Sequence, residues 1–318
     1  MMLSKILEKA ETIAIGGHVR PDGDCVGSCM GLYQYIIENY KDKKADVYLE
    51  TIPEKFNFLE GTNKICHEIN EGQVYDLFIC LDCGGEDRLA FSAPLFRAAK
   101  HTFCVDHHIS NENFAEENYV VPDASSTSEL VFKLMDVDKI SKSTAEALYL
   151  GIVHDTGVFQ FSCVSPSTFQ AAAVLLSKGV NAPKLIQETF YEKTYAQNHI
   201  LGRALVESIL FMDGACIVSS IREKDMEFYN LTPKDLDGIV NQLRNTKGVE
   251  VAIFMYELEQ NLYKVSLRSG DRVDVNKVAQ YFGGGGHKKA AGVTMNGTSY
   301  DVINNLASRI ELQLRGTV

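Results

Sequence analysis

A chain of 318 residues exceeds one ordinary hydrophobic core and points to two domains, while its 45% apolar content is that of a globular protein. A formal net charge of −11 argues against a protein that coats long nucleic acid, because such affinity comes from neutralising phosphates. No apolar run nears the ~20 residues of a membrane span, the start MMLSKILEKAE reads as a short amphipathic helix rather than a signal peptide, and a cytoplasmic location is expected.

Eight cysteines are scattered along apolar segments and do not form a disulfide framework. Cys80 and Cys83 form a CxxC, but on an expected strand positions three apart face opposite sides, which removes a zinc or redox reading.

In chain order, residues 12–15 read as a strand that runs into Gly16-Gly17-His18-Val19-Arg20-Pro21-Asp22-Gly23-Asp24, followed by an amphipathic helix over 25–39. Proline and glycine forbid regular structure between them, so His18, Asp22 and Asp24 share one tight loop at a helix start. They are candidate metal ligands, although Asp22 and Asp24 also suit turn and N-cap positions. Residues 46–50 form an expected strand, and 75–81 a continuous apolar one that stops at Asp82 before Gly84-Gly85. Asp87 and Arg88 open a helix, where an ion pair explains them adequately.

The strand at 101–105 delivers Asp106, His107 and His108 at its carboxyl end, where open α/β sheets place their sites. A short strand at 118–121 precedes Asp123-Ala124-Ser125-Ser126-Thr127-Ser128-Glu129, which is either a capping box or a phosphate-accepting helix start. A helix from about 144 carries Gly151-Ile152-Val153-His154-Asp155-Thr156-Gly157, with Asp155 near its end and His154 a structural neighbour rather than a ligand. Helices then follow at 165–178, 183–191 and 195–211, and the last is taken as an arm between domains.

Beyond it the pattern is strand 215–221, helix 233–245, strands 249–257 and 262–268, helix 275–282, a glycine-rich loop, strand 292–295 and a terminal helix. This is a small α+β unit. Between residues 264 and 289, six Lys or Arg stand against two Asp, and Gly283-Gly284-Gly285-Gly286-His287-Lys288-Lys289 offers side-chain-free backbone beside positive charge. A phosphate or nucleotide suits that stretch, as does a flexible turn with solvated lysines.

Eight His and Asp side chains brought to the ends of strands and helices of one parallel sheet would repel one another without cations. Imidazole with carboxylate suits manganese, with magnesium, cobalt or iron as substitutes. Two cations sharing an aspartate are the arrangement that activates water against a phosphoryl group.

The ordered set HVRPDGD, LDCGG, VDHH, GIVHDTG and GGGGHKKAAG resembles the DHH phosphoesterase superfamily with its DHH-associated C-terminal domain, over nearly the whole chain. Within it the chain is most similar to the bacterial oligoribonuclease and pAp-phosphatase family. The resemblance implies a parallel-sheet α/β domain with helices on both faces over 1–190, a connecting helix over 191–211 and a smaller α+β substrate-binding domain over 212–318. It also implies that His18, Asp22 and Asp82 hold one Mn2+ and that Asp24, Asp82, His107 and Asp155 hold another. Mg2+ or Co2+ would be possible substitutes. Asp106 would orient the neighbouring histidines, His108 would contact the scissile phosphate, and Arg268, Gly284, Gly285, Gly286 and His287 would grip the substrate from the second domain.

The implied reaction is hydrolysis of RNA oligomers of a few nucleotides to mononucleotides, and of 3′-phosphoadenosine 5′-phosphate (pAp) to AMP, by a homodimer. Cyclic di-AMP or its linear product is the rival substrate. A non-enzymatic nucleotide sensor is a different class, against which the intact ligand set argues. A long-strand exonuclease would carry a further nucleic-acid-binding domain, and the pyrophosphatase branch lacks the GGGH loop.

Overall fold

The computed structural model describes residues 3–8, 10–70 and 72–316. The chain divides into two compact units, Met1–Glu192 and Lys193–Val318. The expected N-terminal helix is present over Leu3–Leu7, with Met1, Met2 and Lys9 of that segment outside the described residues. Among the described residues no helix is long and apolar enough to cross a membrane.

The first unit contains α1 (Leu3–Leu7), β1 (Thr12–Gly16), α2 (Gly23–Asn39), β2 (Lys44–Tyr48), β3 (Leu77–Leu81), α3 (Ala93–Ala98), β4 (His101–Asp106) and β5 (Glu117–Val120). It continues with α4 (Thr127–Leu134), α5 (Lys142–Asp155), α6 (Pro166–Ser177) and α7 (Ala182–Ile186), and α7 runs on into a π-helical turn, Gln187–Tyr191. Its five strands are all parallel, in the order β2-β1-β3-β4-β5. Parallel pairing needs crossover segments, which cover both faces.

Strand alternation divides the apolar residues between two cores. Ile13, Ile15, Ile79, Leu81, Phe103 and Val105 point to the side of α2, α4 and α5. Ala14, Phe78, Cys80 and Cys104 point to the side of α3, against Leu95 and Phe96. At the centre of the first face α2 and α5 approach so closely that a Cβ on Gly27 would lie 2.5 Å from the Ala147 carbonyl oxygen. The sheet reverses direction of growth between β1 and β3, and the carboxyl ends flanking that reversal carry His18 to Asp24 and Asp82.

Cys80 and Cys83 depart from the alternation expected of them. The strand stops at Leu81, Asp82 takes a left-handed φ of 58°, and both thiols share the α3-side core with Cys104. Burial pushes both thiols up, so they pack as small apolar groups.

The second unit contains α8 (Tyr195–Val206), β6 (Ile209–Phe211), β7 (Cys216–Ile221), α9 (Glu223–Phe228), α10 (Ile239–Arg244), β8 (Val251–Glu259) and β9 (Leu262–Ser269). It ends with α11 (Val275–Tyr281), β10 (Gly285–His287), β11 (Ala290–Asn296) and α12 (Ser299–Leu314). Its mixed sheet runs β10-β11-β9-β8-β7-β6, with only β7 and β8 parallel.

Two expectations change here. The helix read over 195–211 ends at Val206, because Ile209–Phe211 pair with β7 as an edge strand. Ile200 and Ala204 of α8 are buried with Ile217 and Leu243, so the helix belongs to this unit's own core. The glycine-rich loop is in part strand β10, and a Cβ on Gly284 would lie 2.3 Å from the Gly292 carbonyl oxygen.

One buried carboxylate ties α4 to the start of α6. Glu129 of α4 accepts from the Ser125 hydroxyl at 2.5 Å, the Thr168 hydroxyl of α6 at 2.9 Å and the Ser167 hydroxyl, and pairs with Lys133 at 2.5 Å. Burial opposes ionisation, but Lys133 and the three hydroxyls outweigh it and pull the carboxyl down to about 2. A depressed carboxyl stabilises the fold above its ordinary titration range and loses that contribution as pH falls towards 2. Glu129→Gln is therefore expected to cost on the order of 2–3 kcal/mol at pH 7. Thermal melting across pH checks this: the deficit should shrink steadily from pH 5 towards pH 2.5, and a pH-independent deficit would refute it.

Candidate metal centre

His18 leaves β1 through two glycines, and Asp22 caps α2, its Oδ1 accepting the backbone N–H of Asp24 at 3.0 Å and of Cys25 at 3.1 Å. Asp82 directly follows β3, Asp106 ends β4, and Asp155 is the last residue of α5, shortly before Gly157, Val158 and Phe159 turn left-handed. All the ligand candidates named from the sequence in this unit converge on one place, and Asp82 is its centre.

The two oxygens of Asp82 face different groups. Oδ2 lies 3.5 Å from His18 Nε2, which is also 3.6 Å from Asp22 Oδ1. Oδ1 lies 3.7 Å from His107 Nε2 and 3.8 Å from His108 Nδ1. His107 Nε2 is 3.1 Å from Asp155 Oδ2, and ligand atoms of Asp24, His107 and Asp155 all fall within 4.8 Å of one another. Two donor groups thus share one buried carboxylate.

The histidines are oriented for this. His18 Nδ1 sits 2.8 Å from the Val19 carbonyl oxygen, and His107 Nδ1 sits 3.4 Å from the Ala124 carbonyl oxygen. A carbonyl only accepts, so each Nδ1 carries the proton when the ring is neutral and each Nε2 turns its lone pair towards the carboxylates. Asp106, fully buried, is 2.7 Å from His108 Nδ1 through Oδ1 and accepts from Asn111 Nδ2 at 2.7 Å through Oδ2. It orients His108; His107 is held by backbone instead. The Asp106 hydrogen bond holds the His108 imidazolium above its ordinary range, against burial.

The charges are strained in the way a cation would relieve. Burial, then Asp82, raises Asp24 to about 7. Burial and the neighbouring Asp24, Asp82 and Asp22 push Asp155 well up. Burial works against His18, yet Asp22 and Asp82 drive its imidazolium up to about 11. Each of these shifts favours a bound proton, and clustered negative charge contributes to every one. Nitrogen and oxygen donors at these spacings fit divalent cations, and this is the observation on which the fit rests.

Three contributions were not legible in the sequence. Thr127 Oγ1 donates to Asp82 Oδ1 at 3.1 Å, and the backbone N–H groups of Thr127 and Ser128 donate to Asp24 at 2.6 Å and 2.9 Å. The start of α4 therefore receives a protein carboxylate, which overturns its reading as a phosphate site, and Ser126 caps it by accepting Glu129 N–H at 3.0 Å. Asn111 had no signal beyond its place three residues after His108. Cys25 brings a sulfur within 4.8 Å of the His18 and Asp82 ligand atoms, although burial keeps it a protonated thiol. His154 is not among the clustered ligands: Nε2 lies 3.0 Å from Thr189 Oγ1, Phe56 and Phe190 flank the ring, and burial lowers it to about 4.

In the second unit, Arg268 is held by Asn241 Oδ1 at 3.0 Å and by the Leu267 carbonyl oxygen at 3.0 Å. His287 pairs with Ala290, which pairs with Arg268, so one row across β10, β11 and β9 sets both side chains on the same face of the sheet. Gly284, Gly285 and Gly286 lie beside that row.

Residues 12–152 match the DHH family, N-terminal domain, and residues 213–316 match the DHHA1 domain. The chain is 28% identical over 305 residues to the bifunctional oligoribonuclease and PAP phosphatase NrnA of Thermus thermophilus, covering 94% of this chain and 89% of that protein. It is 25% identical to the cyclic-di-AMP phosphodiesterase GdpP of Bacillus subtilis, covering 99% of this chain but 50% of the relative. An exopolyphosphatase-related protein from Bacteroides fragilis superposes with a TM-score of 0.90 at 26% identity, covering 99% of this chain and 96% of that one. With both domains matched in order and the fold shared end to end, the chain belongs to the DHH phosphoesterase family with a DHHA1 domain, and it is a hydrolase of phosphoester bonds.

Proposed function

We propose that this enzyme hydrolyses short RNA oligonucleotides to 5′-mononucleotides and dephosphorylates pAp to AMP. The observation that carries the reading is the division of Asp82 between two donor groups, taken with similarity to an oligoribonuclease and PAP phosphatase along 94% of the chain. His18, Asp22 and Asp82 would hold one divalent cation and Asp24, Asp82, His107 and Asp155 the other, with Mn2+ the best match to the donors and Mg2+ or Co2+ as substitutes. Bound there, the cations would supply charge neutralisation and an activated water.

The chain's own groups do the rest. Asp106 aims His108 and raises its hold on a proton, and the imidazolium would donate to a phosphoryl oxygen as negative charge grows on it. Asp82 fixes the spacing of the two donor groups, which sets where a phosphoryl oxygen can sit. Arg268, His287 and the glycines of β10 supply binding rather than chemistry. A guanidinium braced by Asn241 is pre-shaped for a phosphate. Cyclic di-AMP hydrolysis is the second reading, favoured by the full-length match to half of a cyclic-di-AMP phosphodiesterase. A homodimer is part of the first proposal.

Chromatography of products from a short 5′-phosphorylated RNA, pAp and cyclic di-AMP, each with manganese-loaded protein, tests the choice. Mononucleotides from the RNA and AMP from pAp are expected; consumption of cyclic di-AMP alone would replace the first reading with the second. His107→Ala is expected to reduce hydrolysis to background while melting as the wild type does. Retained activity in that variant would remove the site. Arg268→Ala is expected to raise KM roughly tenfold or more with a much smaller effect on kcat, which steady-state kinetics reads directly.

A further inference from the structure

Thr127, fully buried at the start of α4, touches two of the ligand carboxylates at once. Its hydroxyl donates to Asp82 Oδ1 at 3.1 Å and its N–H to Asp24 Oδ2 at 2.6 Å. The hydroxyl crosses 45 positions of sequence to reach a carboxylate and takes no part in capping its own helix, a task done by Ser126. Asp82 is the residue that most needs such a partner. Its backbone holds a φ of 58°, in the left-handed region that non-glycine residues seldom occupy. Its side chain, moreover, must present one oxygen to each donor group, and rotation of the carboxylate would spoil both.

We propose that Thr127 is a positioning residue for cation binding: its hydroxyl occupies one lone pair of Asp82 Oδ1 and thereby turns the other towards the group formed by Asp24, His107 and Asp155. The same segment fixes that group's other members, since the Thr127 and Ser128 N–H groups hold Asp24 and the Ala124 carbonyl holds His107. Residues 124–129 act as one clip, locked from behind by Glu129 through Ser125. The role rests on the two-cation reading above. Outer partners of metal ligands commonly contribute 10–100-fold in metal affinity.

The test compares Thr127→Val, which keeps shape and the N–H, with Thr127→Ser, which keeps the hydroxyl. All three proteins are stripped with chelator, melted, and titrated with Mn2+ while free Mn2+ is followed by electron paramagnetic resonance. Thr127→Val is expected to weaken at least one Mn2+ binding step by about 10–100-fold. Thr127→Ser should stay within a few-fold of wild type, and the metal-free melting points of the two variants should lie close together. Wild-type affinity in Thr127→Val would overturn the role, as would an equal loss in Thr127→Ser, which would mark a packing effect. Absence of Mn2+ binding in all three proteins would overturn the two-cation reading and the role with it.

Discussion

Crowded negative charge is the constraint on which the first unit depends. Asp22, Asp24, Asp82 and Asp155 meet within a few ångströms of two histidines, in a place where burial weakens the screening that water would provide. Such a cluster survives only if protons, helix termini or cations offset it. The chain supplies the first two itself: α2 and α4 each direct backbone N–H groups at a carboxylate, Asp22 for one and Asp24 for the other. Helix termini carry partial positive charge, so they lower the cost of the cluster without consuming its ligand capacity for a cation.

The parallel sheet explains why the cluster assembles at all. Each strand contributes its carboxyl end, and the change of growth direction between β1 and β3 opens a crevice where side chains from separate crossovers meet. The apolar residues are indifferent to this chemistry. Their alternation between the α2, α4 and α5 side and the α3 side fixes strand register, and strand register fixes where His18, Asp82 and Asp106 emerge. A slip of one residue would turn the apolar side chains of a strand to the wrong face and shift the position of its carboxyl end.

The legible part of this protein was therefore the part governed by pattern. Apolar runs ending in Asp or His gave the strands and their ends, and the loop HVRPDGD gave a turn and a cap that the structure shows at Asp22. What sequence patterning obscured was set by single backbone angles or by long-range contacts. Alternation sent Cys80 and Cys83 to opposite faces, whereas the left-handed φ at Asp82 gathers them on one. The hydroxyl-rich run before α4 looked like a cap with spare donors, yet those donors are spent on Asp24, 103 and 104 residues away. The helix read through 211 was unbroken by any proline or glycine near its end, and only pairing with β7 reveals the switch to strand after Val206.

The two carboxylates of the DGD loop show how one short segment can serve opposite needs. Asp22 is exposed, and His18 with two backbone N–H groups holds its carboxyl down at about 2, so it keeps its charge. Asp24, two residues on and fully enclosed, is raised to about 7 by burial and Asp82, so it holds a proton through mildly acidic conditions. The N-cap turn places one side chain outward and the next into the sheet, and that geometry alone separates their behaviour. At neutral pH Asp22 would offer its charge to a cation directly, whereas Asp24 would first have to give up its proton. The shared carboxylate of Asp82 links the cluster, because its charge is one of the causes that raise both Asp24 and Asp155.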